Sequence, residues 1–328
     1  MGIFTTIEST PFIGIIIPFR NEAQGLPAFL HTLIKTLDTV GESYEIICVD
    51  DGSEDAGWEI LQGAARTDKR VKGIQLTRHF GKESAIRAGL RAVSAHAAII
   101  MDADLQHPPE LIPEMIQAWG IKNVLVVEAV KKTSSRKNIF ARLLLWVYGI
   151  ILKKTANIEF HNRTDFMLID RKIIDRINHL PERITFFRGI VEWFGYASYK
   201  IEFEVQKRAT GKPSWSRLNS VNLAIDGITV FTSAPLRLVT ACGIIFSVLS
   251  LMLVGHTLYM KLSGRALEGF TTVIICILVV GSVLTMGLGV IGEYIARIYE
   301  EVKQRPVYIV KQTANLEAEN QAVSDLLQ

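Results

Sequence analysis

Short, continuous apolar runs alternate with amphipathic stretches from Phe12 to Val130. Phe12–Ile17, closed by Pro18, reads as a buried strand, because an apolar run this short with no polar alternation must be covered on both faces. Leu26, Phe29, Leu30, Leu33, Ile34 and Leu37 then recur at helical spacing, which predicts an amphipathic helix over Ala23–Leu37. The same alternation predicts further strands over Tyr44–Val49, Val71–Leu76, Ala97–Met101 and Asn123–Val130. Helices are expected between them over Asp55–Ala65, Lys82–Ser94 and Pro109–Trp119, the last opened by a proline that the first helical turn tolerates. Strict alternation of this kind predicts an α/β domain built on a mostly parallel sheet with helices on both faces.

The pattern changes towards the end of the chain. Leu238–Tyr259 and Phe270–Gly292 contain no Asp, Glu, Lys or Arg, and each is long enough to cross a bilayer core as a helix. Only a short polar loop, Lys261–Glu268, separates them, so they predict a transmembrane hairpin. Arg208, Lys212, Arg217 and Arg237 precede it and Arg297, Lys303 and Arg305 follow, against Lys261 and Arg265 in the loop. This asymmetry places both ends of the hairpin, and the large domain, on the cytoplasmic side. No signal for secretion precedes the first strand. Leu143–Leu152 is an apolar run too short to span, with Arg142, Lys153 and Lys154 at its ends, so 138–154 is expected to lie in the membrane interface. The divisions that follow are a domain over 1–207, a juxtamembrane amphipathic segment over 208–235, a hairpin over 236–296 and a tail over 297–328. In the second span Gly281, Thr285 and Gly289 recur every fourth residue, a spacing that permits close helix packing.

Composition adds little to this. The chain has 328 residues, 49% of them hydrophobic, and a formal net charge of +3. That charge is too small to point to nucleic acid, while the basic clusters beside the spans suit anionic lipid head groups. Cys48, Cys242 and Cys276 are too few and too scattered for a disulfide framework or a Cys/His metal site.

The chemistry lies at the strand ends. In open α/β sheets ligands bind beyond the carboxyl ends of the strands. Pro18-Phe19-Arg20-Asn21-Glu22, Asp50-Asp51, Arg78 to Lys82 and Asp102-Ala103-Asp104 each leave a different strand, so all four should share one rim. Asp102 and Asp104, one residue apart on an extended segment and followed by the amide of Gln106, offer hard oxygen ligands that suit Mg²⁺ or Mn²⁺. Carboxylates, a divalent ion and the cations Arg20, Arg78 and Lys82 together fit a phosphorylated ligand. No G-x-x-x-x-G-K-[ST] is present and no G-x-G-x-x-G follows the first strand, which removes the main support for a P-loop ATPase or a dinucleotide dehydrogenase.

These motifs resemble family 2 glycosyltransferases of the GT-A fold, in particular the polyprenyl-phosphate sugar transferases, bactoprenol glucosyltransferases and dolichol-phosphate mannosyltransferases. The resemblance rests on IPFRNE (Ile17–Glu22), VDDGSED (Val49–Asp55), TRHFGKESA (Thr77–Ala85) and DADLQHPPE (Asp102–Glu110). It continues through TDFMLIDRKIID (Thr164–Asp175), RATGKPSWS (Arg208–Ser216) and DGITVFTSAPLR (Asp226–Arg237) to the hairpin. It implies that Pro18, Arg20, Glu22, Asp50 and Asp51 hold the nucleotide, and that Asp102, Asp104 and Gln106 hold the metal and diphosphate, with Asp104 in a catalytic role. Lys82, Arg208, Lys212 and Ser214 would contact phosphates. Asp165 would stand near the transferred sugar; the structural alternative is a helix N-cap or an ion-pair partner of Arg163 or Arg171. Met167 follows Phe166 where the family often has arginine, and Glu128-Ala129-Val130-Lys131 stands where relatives usually show a glycine and an arginine.

The activity implied is inverting transfer of a hexose from a nucleotide sugar, UDP-glucose as first choice, to undecaprenyl or another polyprenyl phosphate. GDP-mannose and UDP-N-acetylglucosamine are the donor alternatives. The implied setting is the bacterial inner membrane, and the resemblance also implies a homo-oligomer. A processive polysaccharide synthase would need a Q-x-x-R-W segment and more spans, neither of which occurs. A non-catalytic membrane scaffold would have no need of the acids at 50, 51, 102, 104 and 165.

Overall fold

The computed structural model describes residues 12–104, 106–132, 163–181, 186–204, 234–263 and 269–316. The alternation read from the sequence is realised as β1 (Ile13–Phe19), α1 (Leu26–Val40), β2 (Tyr44–Asp50), α2 (Gly57–Thr67), β3 (Val71–Leu76), α3 (Lys82–Ala92) and β4 (Ala97–Ile100). A short 3-10 turn, Pro109–Leu111, leads into α4 (Ile112–Lys122), and β5 is Val126–Lys131. After these come β6 (Arg163–Asp170), α5 (Arg171–His179), α6 (Phe187–Trp193), β7 (Ser198–Phe203), α7 (Ala234–Leu262), α8 (Phe270–Val302) and β8 (Val310–Ala314).

Among the described residues the strands form one sheet in the order β7-β5-β6-β4-β1-β2-β3-β8. β3, β2, β1 and β4 run parallel at its centre, so their carboxyl ends share one rim. β6 pairs antiparallel with β4, with Ile100 opposite Met167, and this brings the start of β6, including Asp165, to that same rim. Four of the seven strand pairings among the described residues are parallel, as expected, and the three antiparallel ones all involve β6 or β8, which enter from chain segments that lack the short βα alternation.

Each face of the sheet is buried under helices. Ile13, Ile15 and Ile17 of β1 pack with Leu26, Phe29, Leu33 and Leu37 of α1, Trp58 and Leu61 of α2, and Ile112 and Met115 of α4 in one apolar cluster. On the opposite face α3 packs on β1 through small residues. Gly89 approaches so closely that an added Cβ would lie 2.4 Å from Cγ2 of Ile16. Pro18 is accommodated in a central strand because β1 has run past the end of β4 there: the last rung is Met101 N–H to the Ile16 carbonyl, at 3.1 Å. Its missing donor therefore breaks no ladder bond.

The turn from α3 into β4 is fastened by a buried acid. Glu45 is 1% exposed; Oε1 accepts hydrogen bonds from the backbone N–H groups of Ser94 and Ala95 and from the Ser94 hydroxyl, and Oε2 pairs with Lys72 at 2.8 Å. Glu45→Ala leaves three donors and a lysine without their acceptor, so it is expected to destabilise the domain by about 3 kcal/mol. Chemical denaturation of the full chain in detergent measures this, and a midpoint equal to the wild type's would refute it.

The second compact unit of the chain contains the two long helices. α7 and α8, of 29 and 33 residues, each carry a stretch long and apolar enough to cross a membrane, Val239–Met260 and Val279–Val302. α8 runs ten residues beyond the apolar run that ends at Gly292, supported by ion pairs between Arg297 and Glu293 and between Lys303 and Glu300. Of its small residues, Gly281 and Gly289 have open space about them, and Gly287 instead meets Val239 of α7. The segments 138–154 and 208–233 lie outside the described residues. Beyond the hairpin, β8 belongs to the first unit. It pairs antiparallel with β3, from Val310 opposite Leu76 to Ala314 opposite Gly73.

Candidate active site

The rim is assembled from the ends of β1 to β4 and the start of β6. Leaving β1, Asn21 takes a positive φ of 55° and ties two loops together: its N–H donates to Ser53 Oγ at 2.9 Å and its Oδ1 accepts from Glu54 N–H at 2.9 Å. Arg20 is exposed and lies 3.8 Å from Glu54. The Glu22 carbonyl accepts from Leu26 N–H at the start of α1.

The acids after β2 are placed differently from a simple ligand pair. Asp50 is fully buried, accepting from Ser53 N–H at 2.8 Å and from the Gln75 amide at 2.9 Å; Gln75 in turn accepts from Gln312 of β8 at 2.8 Å. Asp51, 3% exposed, accepts from the N–H groups of Phe80 and Gly81 and contacts His79 Nδ1 at 2.7 Å. Both carboxylates are therefore engaged within the protein, Asp50 holding its own turn and Asp51 the loop that enters α3. Glycine is required directly after them, at Gly52: φ is +66°, and a Cβ would lie 2.4 Å from the backbone of Arg78.

After β4 the chain alternates. Met101 and Ala103 are buried while Asp102 and Asp104 are half-buried on the other side. Asp104 Oδ1 accepts from Gln106 N–H at 3.1 Å, closing a tight turn. His107, 3% exposed, stacks on Phe166 with ring centroids 5.0 Å apart, and its Nδ1 accepts from Asp102 N–H at 3.0 Å. Burial holds the His107 pKa down, so the ring stays neutral with Nδ1 free to accept. The dipeptide Asp165-Phe166 thus works on both faces of β6: Phe166 braces the histidine behind the acidic turn, and Asp165 faces the rim.

Asp165 sits at the centre of the charges. Its Oδ2 is 2.7 Å from Lys82 Nζ and its Oδ1 is 2.7 Å from Arg188 Nε, and Lys82 also lies 2.5 Å from Asp102 Oδ1. Burial alone would raise the Asp165 pKa, but Lys82 and Arg188 outweigh it and lower it. For Lys82, likewise, burial pulls the pKa down and the carboxylates of Asp102 and Asp165 more than compensate, raising it. Of the expected alternatives for Asp165, the N-cap of α5 is Asp170 and Arg171 pairs with Asp175, while the Arg163 side chain lies outside the described ones. Arg208, Lys212 and Ser214 lie outside the described residues.

Arg188 and Glu83 are the residues that the motifs alone do not reveal. Glu83, next to Lys82 on α3, accepts from Phe187 N–H at 2.8 Å. Burial, then the Asp165 charge, pushes its pKa up to about 7. A carboxyl raised from about 4.5 when unfolded to about 7 when folded adds stability that is fully present below pH 4.5 and lost as pH rises through 7, roughly 3 kcal/mol in all. Glu83→Gln keeps an acceptor for Phe187 and removes the titration. Its melting temperature relative to the wild type is therefore expected to climb between pH 5 and 7.5, and a difference that stays flat across this range would refute the assignment.

The donor set fits a hard divalent ion. No group of three or more His, Cys, Asp or Glu stands ready to hold a metal among the described residues. Two adjacent carboxylates and an amide oxygen match the way Mg²⁺ and Mn²⁺ bind, through one or two carboxylates with substrate phosphates and water completing the shell.

A mixed sheet with parallel central strands, an acidic turn after the fourth and a cation-bridged carboxylate beside it make a GT-A-like fold. The glycosyl transferase family 2 model matches residues 14–177, and the chain belongs to that family. It is 35% identical to an uncharacterised glycosyltransferase of Synechocystis sp., over 93% of this chain and 96% of that one. It is also 35% identical to the SfII prophage-derived bactoprenol glucosyl transferase of Shigella flexneri, over 92% and 98%. Among solved structures, glucosyl-3-phosphoglycerate synthase from Mycobacterium tuberculosis with Mn²⁺, UDP and phosphoglyceric acid aligns at 18% identity and a TM-score of 0.49, over 67% of this chain and 76% of that one.

Proposed function

We propose that the protein transfers a hexose, with inversion, from a nucleotide diphosphate to a polyprenyl phosphate at the cytoplasmic face of a bacterial inner membrane, with UDP-glucose as donor. One observation carries the acceptor class. Asp165, the carboxylate at the middle of the rim, has both oxygens paired with cations and its pKa lowered, so it is a poor proton acceptor. An alcohol acceptor needs a general base, whereas a phosphate monoester, with a second pKa of about 6, is already largely ionised near neutrality. With Asp165 engaged in this way, the site suits an acceptor that needs no base from it. The relatives named bactoprenol glucosyl transferases support both the lipid and glucose.

In the reaction an acceptor phosphate oxygen bonds to the anomeric carbon as the bond to the diphosphate oxygen breaks and its electron pair leaves with the nucleotide. Mg²⁺ or Mn²⁺ held by Asp102, Asp104 and Gln106 would supply Lewis-acid stabilisation of that leaving group. Lys82, placed between Asp102 and Asp165, would meet the same phosphates, and Arg208, Lys212 and Ser214 would close over them. Pro18, Arg20 and Glu22 would border the nucleotide, with Asp50 and Asp51 acting through the loops that they hold. The hairpin, the interfacial segment 138–154 and the juxtamembrane segment 208–235 would bring the prenyl phosphate to the rim from the cytoplasmic leaflet. Acceptor choice tests the reading: polyprenyl phosphate should take glucose from UDP-glucose with inverted anomeric configuration by NMR, and polyprenol should take none. Equal glucosylation of the alcohol would overturn the acceptor class, and transfer only from GDP-mannose or UDP-N-acetylglucosamine would overturn the donor.

A further inference from the structure

The contacts around Asp165 close into a ring. Lys82 and Glu83 are consecutive on α3, and Phe187 and Arg188 are consecutive at the start of α6. Lys82 takes Asp165 Oδ2, Arg188 takes Oδ1, and Glu83 accepts the Phe187 N–H, so α3, β6 and α6 are linked through one carboxylate and one backbone bond. Phe187 and Ile190, each 3% exposed, seat α6 from beneath, and the Arg188 guanidinium lies 5.3 Å from the Phe186 ring centroid.

We infer that Arg188 is a positioning residue for sugar transfer: it fixes the orientation of Asp165, and Glu83 fixes the helix end that carries it. This rests on the reading that Asp165 faces the transferred sugar. A carboxylate held at one oxygen can still rotate about χ2, and Lys82, which Asp102 shares, cannot stop that alone. The Arg188 charge, 2.7 Å from the second oxygen as an ion pair without an aligned hydrogen bond, adds the second restraint. Oδ1 is sealed from solvent, so the acceptor direction that the fixed carboxylate keeps for a sugar hydroxyl is at Oδ2. Arg188 is thereby required for geometry at the reacting carbon without itself being required for donor affinity.

The test is a cycle of Arg188→Ala, Asp165→Asn and the double variant in the full chain, read as kcat and donor KM separately. Arg188→Ala is expected to lower kcat about 100-fold with donor KM changed less than about threefold, the cost of a misplaced group near the reacting atoms. Guanidinium in the buffer should restore part of that kcat, which a fold defect would not allow, and Arg188→Lys should retain more activity than Arg188→Ala. The double variant should be no slower than Asp165→Asn. Multiplying losses in the double variant, a raised KM at unchanged kcat, or wild-type kcat in Arg188→Ala beside a slow Asp165→Asn would each overturn the inference alone. Wild-type kcat in Asp165→Asn would overturn the role of Asp165 first.

Discussion

Asp104→Asn is expected to lower kcat about 1,000-fold and to raise the concentration of Mn²⁺ or Mg²⁺ needed for half-maximal rate. The substitution keeps an oxygen that can accept the Gln106 N–H, so the turn after β4 should survive. What it removes is one of two carboxylate charges on a half-buried rim where the remaining ligands would come from Gln106, substrate and water. Lewis-acid stabilisation of a leaving diphosphate is worth several kcal/mol, and about 4 kcal/mol corresponds to three orders of magnitude in rate. A chelator should reduce the wild type to a similar level. Turnover unaffected by both the substitution and the chelator would remove the divalent ion from the account.

Lys82→Ala is expected to reduce kcat/KM about 100-fold, with the loss falling on donor KM as well as on kcat. Lys82 bridges Asp102 and Asp165, and without it two carboxylates face one another with Arg188 as the remaining cation shown on either of them. Losing a charge-assisted contact to the diphosphate accounts for the KM part, and disorder at Asp165 accounts for the kcat part. Lys82→Arg supplies the charge with a longer, planar head and should recover KM more than kcat. Equal KM in wild type and Lys82→Ala would place the ammonium away from the donor.

The central sheet and its rim are legible in the sequence because parallel strands impose two simple signatures. Buried on both faces, β1 and β4 are continuous apolar runs, while β2 and β3 are mainly apolar ones interrupted by Glu45, Lys72 and Gln75; sharing one direction, their polar exits meet. The rest depends on pairings that leave no local trace. Arg188 lies 23 residues after Asp165 in sequence, on a helix of only seven residues that is too short to show a period. The single polar residue in the apolar run Phe186–Val191 was its one visible sign. β8 follows a long apolar helix, and Gln312 reaches the Asp50 network only through antiparallel pairing with β3. The burial of Asp50 and Asp51 is likewise hidden, because acids after a strand look alike whether they face a ligand or the N–H groups of a neighbouring loop. Here Gly52 and the tight approach of Arg78 and His79 turn the second acid inward.

The transfer itself is the most direct measurement. Purified protein in detergent, given polyprenyl phosphate, Mg²⁺ or Mn²⁺ and UDP-glucose labelled in the sugar, should move label into the lipid extract in proportion to time and enzyme, with Asp104→Asn as the slow control. GDP-mannose and UDP-N-acetylglucosamine run beside it as the competing donors. No label in the lipid phase from any of the three would contradict the account.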